Sequence, residues 1–438
     1  VDCHQPHSEK LKAEGNQLCV GCHSSELFDT PKHHQHSVDL AGTMDSNQAQ
    51  GTQCIDCHMP GRLYMGNDYR RDHSFRIPRP DLSVAQSTPN ACNDCHSKES
   101  AEWAAEKIAQ WYGPERPAHF SETLSAAASQ PNNAVKPLVS LLNDLSQPAI
   151  ARATAASLLA PDISLPQVER AIIHATNDQS ALLRTISVQT LNASANKVSP
   201  LLERLNDPVR AVRIAAAEGM VDVPENQVPA ALTDAFSQAN QEYQTSLMVN
   251  ADFPSGRMRM AVDQHRRGNL EQAASEYLAV LKIDSDYNGA RMNLAQLYYS
   301  QGKLSDTERL YREVIKGEPK ASDAHYSLGL LMAEQGDLEE AALSLENAAS
   351  TGNNPRAWYN LAVLHQQSGK SMDAEKAYLA ALQLVPGNAE FINGLVSLYG
   401  QQQRWFKAMQ LIDRALIDDP NNPSLEQLKR AVGQRLGY

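Results

Sequence analysis

Three pentapeptides constrain this chain more than anything else in it: Cys19-Val20-Gly21-Cys22-His23, Cys54-Ile55-Asp56-Cys57-His58 and Cys92-Asn93-Asp94-Cys95-His96. They use six of the seven cysteines, and the 343 residues after Cys95 contain none. Histidine is skewed the same way, with 9 of 14 in the first 96 residues. Two thiols three positions apart sit on one side of a helical turn, with a histidine directly behind them. Such thiols can form thioethers with both vinyl groups of a haem while the histidine supplies the proximal iron ligand. Each pentapeptide therefore reads as a c-type haem attachment site. Between the motifs the segment is short in aliphatics and rich in Gly, Pro, Asp and Ser, so the haems themselves are expected to act as its core.

Rival uses of the cysteines fit less well. Disulfides would not require a histidine after each pair. Structural zinc uses Cys-x-x-Cys pairs, but three successive His-terminated pairs are not a zinc-ribbon pattern. A thioredoxin-like site needs one such pair in a βαβ unit, and this segment shows no strand pattern. The seventh cysteine, Cys3, is followed by His4 and preceded by Val1 and Asp2. A cysteine before Val1 would complete a fourth motif, so the expectation is haem c at three complete sites and at one cut by the start of the chain.

Proximal ligands are then His4, His23, His58 and His96, and sixth ligands have to come from other side chains. In Lys32-His33-His34-Gln35-His36 a helix would put His33 and His36 on one face and His34 elsewhere, so two neighbours could serve two closely packed haems. His73 is the other strong candidate, while His34, His7 and His119 are weaker ones. Met44, Met59 and Met65 are chemically able to bind iron, although Met59 directly follows His58 and is badly placed. Arg70, Arg71, Arg76 and Arg79 surround His73, and their guanidinium forks suit haem propionates.

These residues carry a resemblance. Cys54 to Pro60, the run Asp72-His73-Ser74-Phe75-Arg76-Ile77-Pro78-Arg79-Pro80-Asp81-Leu82, Thr88-Pro89-Asn90-Ala91-Cys92 and the upstream His33-His34-Gln35-His36 look like bacterial multihaem c-type cytochromes with C-terminal tetratricopeptide repeats. By that resemblance His33 or His36, and His73, are distal ligands. More loosely, the head resembles the superfamily of cytochrome c nitrite reductase and hydroxylamine oxidoreductase. It lacks the lysine-ended motif of the nitrite reductase catalytic haem, which weakens any transfer of that chemistry.

The rest of the chain is chemically plain and repetitive. Ala101 to Tyr112 reads as an amphipathic helix ended by Gly113-Pro114, with Trp103 and Trp111 assigned to a core. From about residue 131, Arg152, Arg184 and Arg213 recur in Ala-rich stretches, each preceded by an aspartate (Asp144, Asp178, Asp207). This resembles HEAT-type repeats, whose aspartate and arginine link successive hairpins. His174 is expected to be structural. Farther on, Gly268, Gly302, Gly336 and Gly369 are spaced 34, 34 and 33 apart. Five residues after each stands Ala273, Thr307, Ala341 or Ala374, and Ala408 continues the series. Leu294, Leu328, Leu361 and Leu395 hold another fixed position, and Tyr277, Tyr311 and Tyr378 a third. Pro319, Pro386 and Pro420 close units. This is the tetratricopeptide signature over five units from about 254 to 422, followed by a capping helix from Ser424 to Leu436. His325 and His365 take the place of large core residues.

The expected fold is therefore all-α: a haem-cored multihaem cytochrome head over 1–120, HEAT-like repeats over 121–235, and tetratricopeptide repeats with a cap over 236–438. The net charge of −12 excludes a nucleic-acid binder, which neutralises phosphates with Lys and Arg. No segment approaches the roughly 18 apolar residues of a membrane helix. The chain begins with Val1 rather than Met, which reads as trimming, so a missing leader carries no information about location. The expected function is electron relay between redox partner proteins bound through the tetratricopeptide repeats, with a homo-oligomer compatible. The alternatives are an oxidoreductase acting on a small nitrogen or sulfur compound at an open haem, and an interaction scaffold with structural haems. Haem attachment occurs outside the cytoplasmic membrane, so the periplasm is the expected location, and the cell surface the alternative.

Overall fold

The structure, a computed structural model, describes residues 2–36 and 51–437 and divides into two compact units, Val1–Lys197 and Val198–Tyr438. The boundary between the two units falls within residues 121–235. Helical hairpins stack on their neighbours, so composition changes need not coincide with breaks in packing. Helices dominate both units.

In the first unit a short turn of helix lies at each attachment motif: Gln17–Val20, which ends before Cys22 and His23, Cys54–His58, and Ala91–Cys95, which ends before His96. The helices, which make up the all-α fold, are joined here by a short hairpin. Gly61–Tyr64 (β1) and Asp68–Arg71 (β2) form an antiparallel hairpin, with Leu63 opposite Tyr69 and Arg62 opposite Arg70. Both Leu63 and Tyr69 are exposed. The usual apolar/polar alternation of a half-buried strand is therefore missing, which is why the sequence pattern does not betray it. Helix Ala101–Tyr112 forms with the expected bounds, and Ser100 caps it by accepting from the Trp103 amide.

After it come Phe120–Ser129 and two hairpins, Val135–Asn143 with Ala149–Leu158 and Pro166–Ala175 with Ala181–Thr190. Small residues let these helices approach closely, and Ala155, Ala156, Leu142, Ile172 and Leu183 are fully buried in one core. Arg152 is buried and donates to the Leu142 carbonyl (2.9 Å) and to Asp178 of the next hairpin (2.7 Å). A guanidinium taken from water needs such complete pairing. His174, expected to be structural, lies exposed on its helix.

In the second unit Val198–Arg204 and Arg210–Gly219 form a third hairpin, and Arg213 reaches Glu242 (2.6 Å) of helix Thr233–Met248. Ten antiparallel helices follow from Pro254–Arg266 to Trp405–Asp418, then the cap Pro423–Leu436. The repeated positions do what their spacing implies. Ala273, Thr307, Ala341, Ala374 and Ala408 are wholly buried where helices cross, and Leu294, Leu328, Leu361 and Leu395 fill the space between them. His325 is buried, its Nε2 bonded to the Pro319 carbonyl (3.0 Å), and His365 is half-buried. Gly268, Gly302, Gly336 and Gly369 turn the chain with φ of +78°, +72°, +83° and +72°. In the fifth unit the corresponding left-handed residue is Gln403, at φ +57°. A side chain there crowds the following carbonyl, at a cost of roughly 1 kcal/mol. Gln403→Gly is therefore expected to stabilise the full chain by about 1 kcal/mol, read by denaturant unfolding. An unchanged or lower midpoint would show that the Gln403 side chain offsets this cost.

Candidate functional site

The three motif turns are tied to one another by polar groups outside them. Asn16 donates to Asp29 (2.6 Å) and to the Thr52 carbonyl (2.9 Å), and its Oδ1 accepts from the Cys54 amide (2.9 Å). A residue beside the first motif thereby caps the helix of the second. Asn90 caps the third, accepting from the Cys92 and Asn93 amides. The hairpin adds two links: Arg62 on β1 takes both oxygens of Asp94 (2.7 and 2.8 Å), and Arg71 on β2 lies 3.8 Å from Asp56. Both aspartates are inside motifs.

Beside a local contact of His34 with His36 (ring centres 6.4 Å apart, 36°), six histidine rings form three pairs between segments distant in sequence. His33 faces His58 with ring centres 6.1 Å apart and planes 8° from parallel. His36 faces His96 at 6.1 Å and 28°, and His4 faces His73 at 6.3 Å and 34°. A histidine nitrogen bonds a transition metal at about 2 Å, so two imidazoles on opposite sides of one ion hold their centres about 6 Å apart. Each pair joins one histidine that follows a motif cysteine to one that does not. Four of the six rings also have a fixed tautomer. Nδ1 of His4 contacts the Glu9 carbonyl (2.8 Å), that of His58 the Arg76 carbonyl (2.8 Å), that of His73 the Arg71 carbonyl (2.9 Å), and that of His36 the His34 carbonyl. A carbonyl only accepts, so Nδ1 carries the proton and Nε2 keeps its lone pair for a metal. Burial, with His58 and His34 nearby, holds the His33 pKa below its ordinary value and so favours the neutral, ligating form.

The segment around His33 is not arranged as a single helical face. Helix Pro31–His34 ends, Gln35 takes a left-handed φ of +60°, and the turn sends His33 and His36 to different partners. His34 meets His36, with ring centres 6.4 Å apart, and its Nδ1 accepts from the His36 amide (3.2 Å). His119 caps helix Phe120–Ser129, with its Nδ1 accepting from the Ser121 amide (3.2 Å). The proton then belongs on Nε2, which removes that nitrogen as a ligand. His7 is exposed, and among the described residues it is paired with no ring. His23 meets the edge of Phe28 (5.9 Å, 83°) rather than a histidine, and Phe28 also meets His33 (5.3 Å, 88°). Met65 stands exposed at the hairpin tip, and Met44 lies outside the described residues.

One further expectation is corrected. Trp103 is not a core residue: its ring lies 4.9 Å from that of His96, while Trp111 is exposed. The arginines around His73 pair with nearby carboxylates: Arg70 with Asp68, Arg71 with Asp56, Arg76 with Asp72, and Arg79 with Asp81. Phe28, Asn16, Tyr112 (whose hydroxyl donates to the His33 carbonyl) and the two motif aspartates escaped sequence reasoning. Only the asparagines shortly before motifs, Asn16 and Asn90, gave any signal, that of a helix cap.

Cys22 and Cys95 are exposed and the other cysteines part-buried. Burial pushes Cys57 up to about 11, with Cys92 and Asp56 adding to it, and pushes Cys54 up to about 11, with Cys19 beside it. A zinc-thiolate site would instead gather ionised sulfurs round one point. Among the described residues no group of three or more His, Cys, Asp or Glu is arranged to hold a metal ion. The Cys-x-x-Cys-His turns together with the paired histidines are a donor set that fits haem c.

Geometry and periodicity together define a chain with a Cys-x-x-Cys-His head and a helical-repeat tail. Comparison with known families agrees: the doubled CXXCH motif matches residues 1–27, and the tetratricopeptide repeat matches 258–308, 292–357 and 359–423. The first match spans Cys3-His4 as well as the Cys19 motif. No curated protein matches the chain. Among solved structures, a MamA protein is 19% identical over 38% of this chain and 92% of its own, with a TM-score of 0.35. YrrB, described as a TPR protein with an unusual peptide-binding site, is 18% identical over 43% of this chain and 97% of its own, also at 0.35. PilF of Pseudomonas aeruginosa is 19% identical over 42% and 90%, at 0.33.

Proposed function

We propose that the chain is a periplasmic multihaem c-type cytochrome that relays electrons between redox partners and docks to them through its helical repeats. The observation that carries this reading is the set of three ring pairs that each join a histidine following a motif cysteine to a histidine outside the motifs. Cys19 and Cys22, Cys54 and Cys57, and Cys92 and Cys95 would hold haem c covalently, with Cys3 contributing to a fourth site. His4, His23, His58 and His96 would be proximal ligands; His73, His33 and His36 would stand opposite His4, His58 and His96. Haem bound there supplies reversible one-electron chemistry, tuned by axial ligand, exposure and nearby charge. The chain's part is to hold His33 toward its neutral form, to orient His4, His36, His58 and His73 through backbone carbonyls, and to fix the motifs relative to one another through Asn16, Arg62 and Arg71. Arg152 reaching Asp178 of the next hairpin supports reading 121–235 as HEAT-like repeats. A cell-surface location is the alternative to the periplasm.

One observation favours a second reading. Among the described residues His23 faces Phe28, where the other proximal histidines face a histidine. A haem there would have an open side, as an oxidoreductase acting on a small nitrogen or sulfur compound requires, and as the looser resemblance to hydroxylamine oxidoreductase implies. Redox titration of the mature protein with nitrite and hydroxylamine present distinguishes the readings. The relay is expected to reduce and reoxidise reversibly without consuming either compound. Sustained turnover would replace it with the second reading, and haems inert toward every soluble mediator would leave an interaction scaffold.

A further inference from the structure

We infer that Gly51 is a positioning residue that holds His36 at the sixth position of the third motif's haem by carrying no side chain. The inference rests on the reading of His36 and His96 as ligands of one iron. A Cβ placed on Gly51 would lie 2.8 Å from Cδ2 and 2.9 Å from Nε2 of His36, inside van der Waals contact. These atoms form the ring edge that carries the ligating nitrogen. The other edge is tied down, with Nδ1 bonded to the His34 carbonyl. The imidazole is thus held between a hydrogen bond on one side and bare backbone on the other. Since the ring is the mobile end of its side chain, a methyl group at 51 is relieved by turning it, and turning moves Nε2 away from His96.

The backbone gives a partial explanation of this glycine and a way to separate the causes. Gly51 has φ +68°, a region in which L side chains are strained. Gly15 shares that need at φ +56°, yet nothing lies within 4 Å of its would-be Cβ. Asparagine tolerates left-handed φ better than other non-glycine residues, so it retains the turn while adding the Cβ. Gly51→Asn therefore isolates the ring contact from the backbone strain, and Gly15→Asn is the matched control.

The test is the spin state of the oxidised, fully matured chain by electron paramagnetic resonance. Gly51→Asn and Gly51→Ala should each show one additional high-spin haem per chain. Added imidazole should return that haem to low spin, as it should in His36→Gly, whereas Gly15→Asn should keep the parent spectrum. Parent-like spectra in both Gly51 variants alongside a high-spin haem in His36→Gly would overturn the role of Gly51 and leave the ligand pair standing. A parent-like spectrum in His36→Gly itself would overturn the His36–His96 reading.

Discussion

Replacing His33 by alanine is expected to turn one low-spin haem high-spin, and replacing His36 to turn a different one. The two residues are three apart, and a single helical face would direct them alike. Instead, the left-handed Gln35 ends the helix between them, His33 lies parallel to His58, and His36 faces His96. Each single variant should show one high-spin haem per chain more than the parent, the double variant two more, and His73→Ala one more than the parent through its loss opposite His4. Covalent haem content should be unchanged, because no motif cysteine is touched. If the double variant showed only the high-spin yield of one single variant, both histidines would serve one iron and the pairing would be wrong.

Tyr378→Ala is expected to destabilise the tail by about 3–5 kcal/mol, the usual cost of emptying a buried aromatic site. The ring is almost wholly buried, packs against Tyr359 at 5.8 Å and would collide with any side chain at Gly394. Its hydroxyl donates to Gln366 (2.8 Å), so truncation also strands a polar partner. For a unit of this size the melting temperature should drop by about 10 °C. The haem absorption spectrum should stay unchanged at temperatures where both proteins are folded, since the tail core contains no residue of the head. A shifted haem spectrum in folded Tyr378→Ala would contradict the division of labour between a redox head and a repeat tail.

The parts of this architecture that repeat were readable from the residues. The 34-residue period places Ala273, Thr307, Ala341, Ala374 and Ala408 at equivalent helix crossings, and each is buried there. The cysteine spacing likewise locates the motif turns, because the chemistry itself demands that spacing. What was not readable depends on unrepeated tertiary contacts. The hairpin of β1 and β2 exposes Leu63 and Tyr69, so no alternation marks it, and its ties are single ion pairs from Arg62 and Arg71 to aspartates 32 and 15 positions away in sequence. Which histidine meets which followed from one backbone angle at Gln35 and from the space left by Gly51. His119, equivalent to the others by composition, became a helix cap because its ring accepts from the Ser121 amide.

The central claim is that histidine pairs in the head share haem irons. Near-infrared magnetic circular dichroism of the oxidised, matured protein, combined with its intact mass, tests this most directly. The expected result is at least three covalently attached haems, three of them carrying the charge-transfer band of bis-histidine ligation. A chain without thioether-bound haem, or with haems lacking that band, would contradict the account.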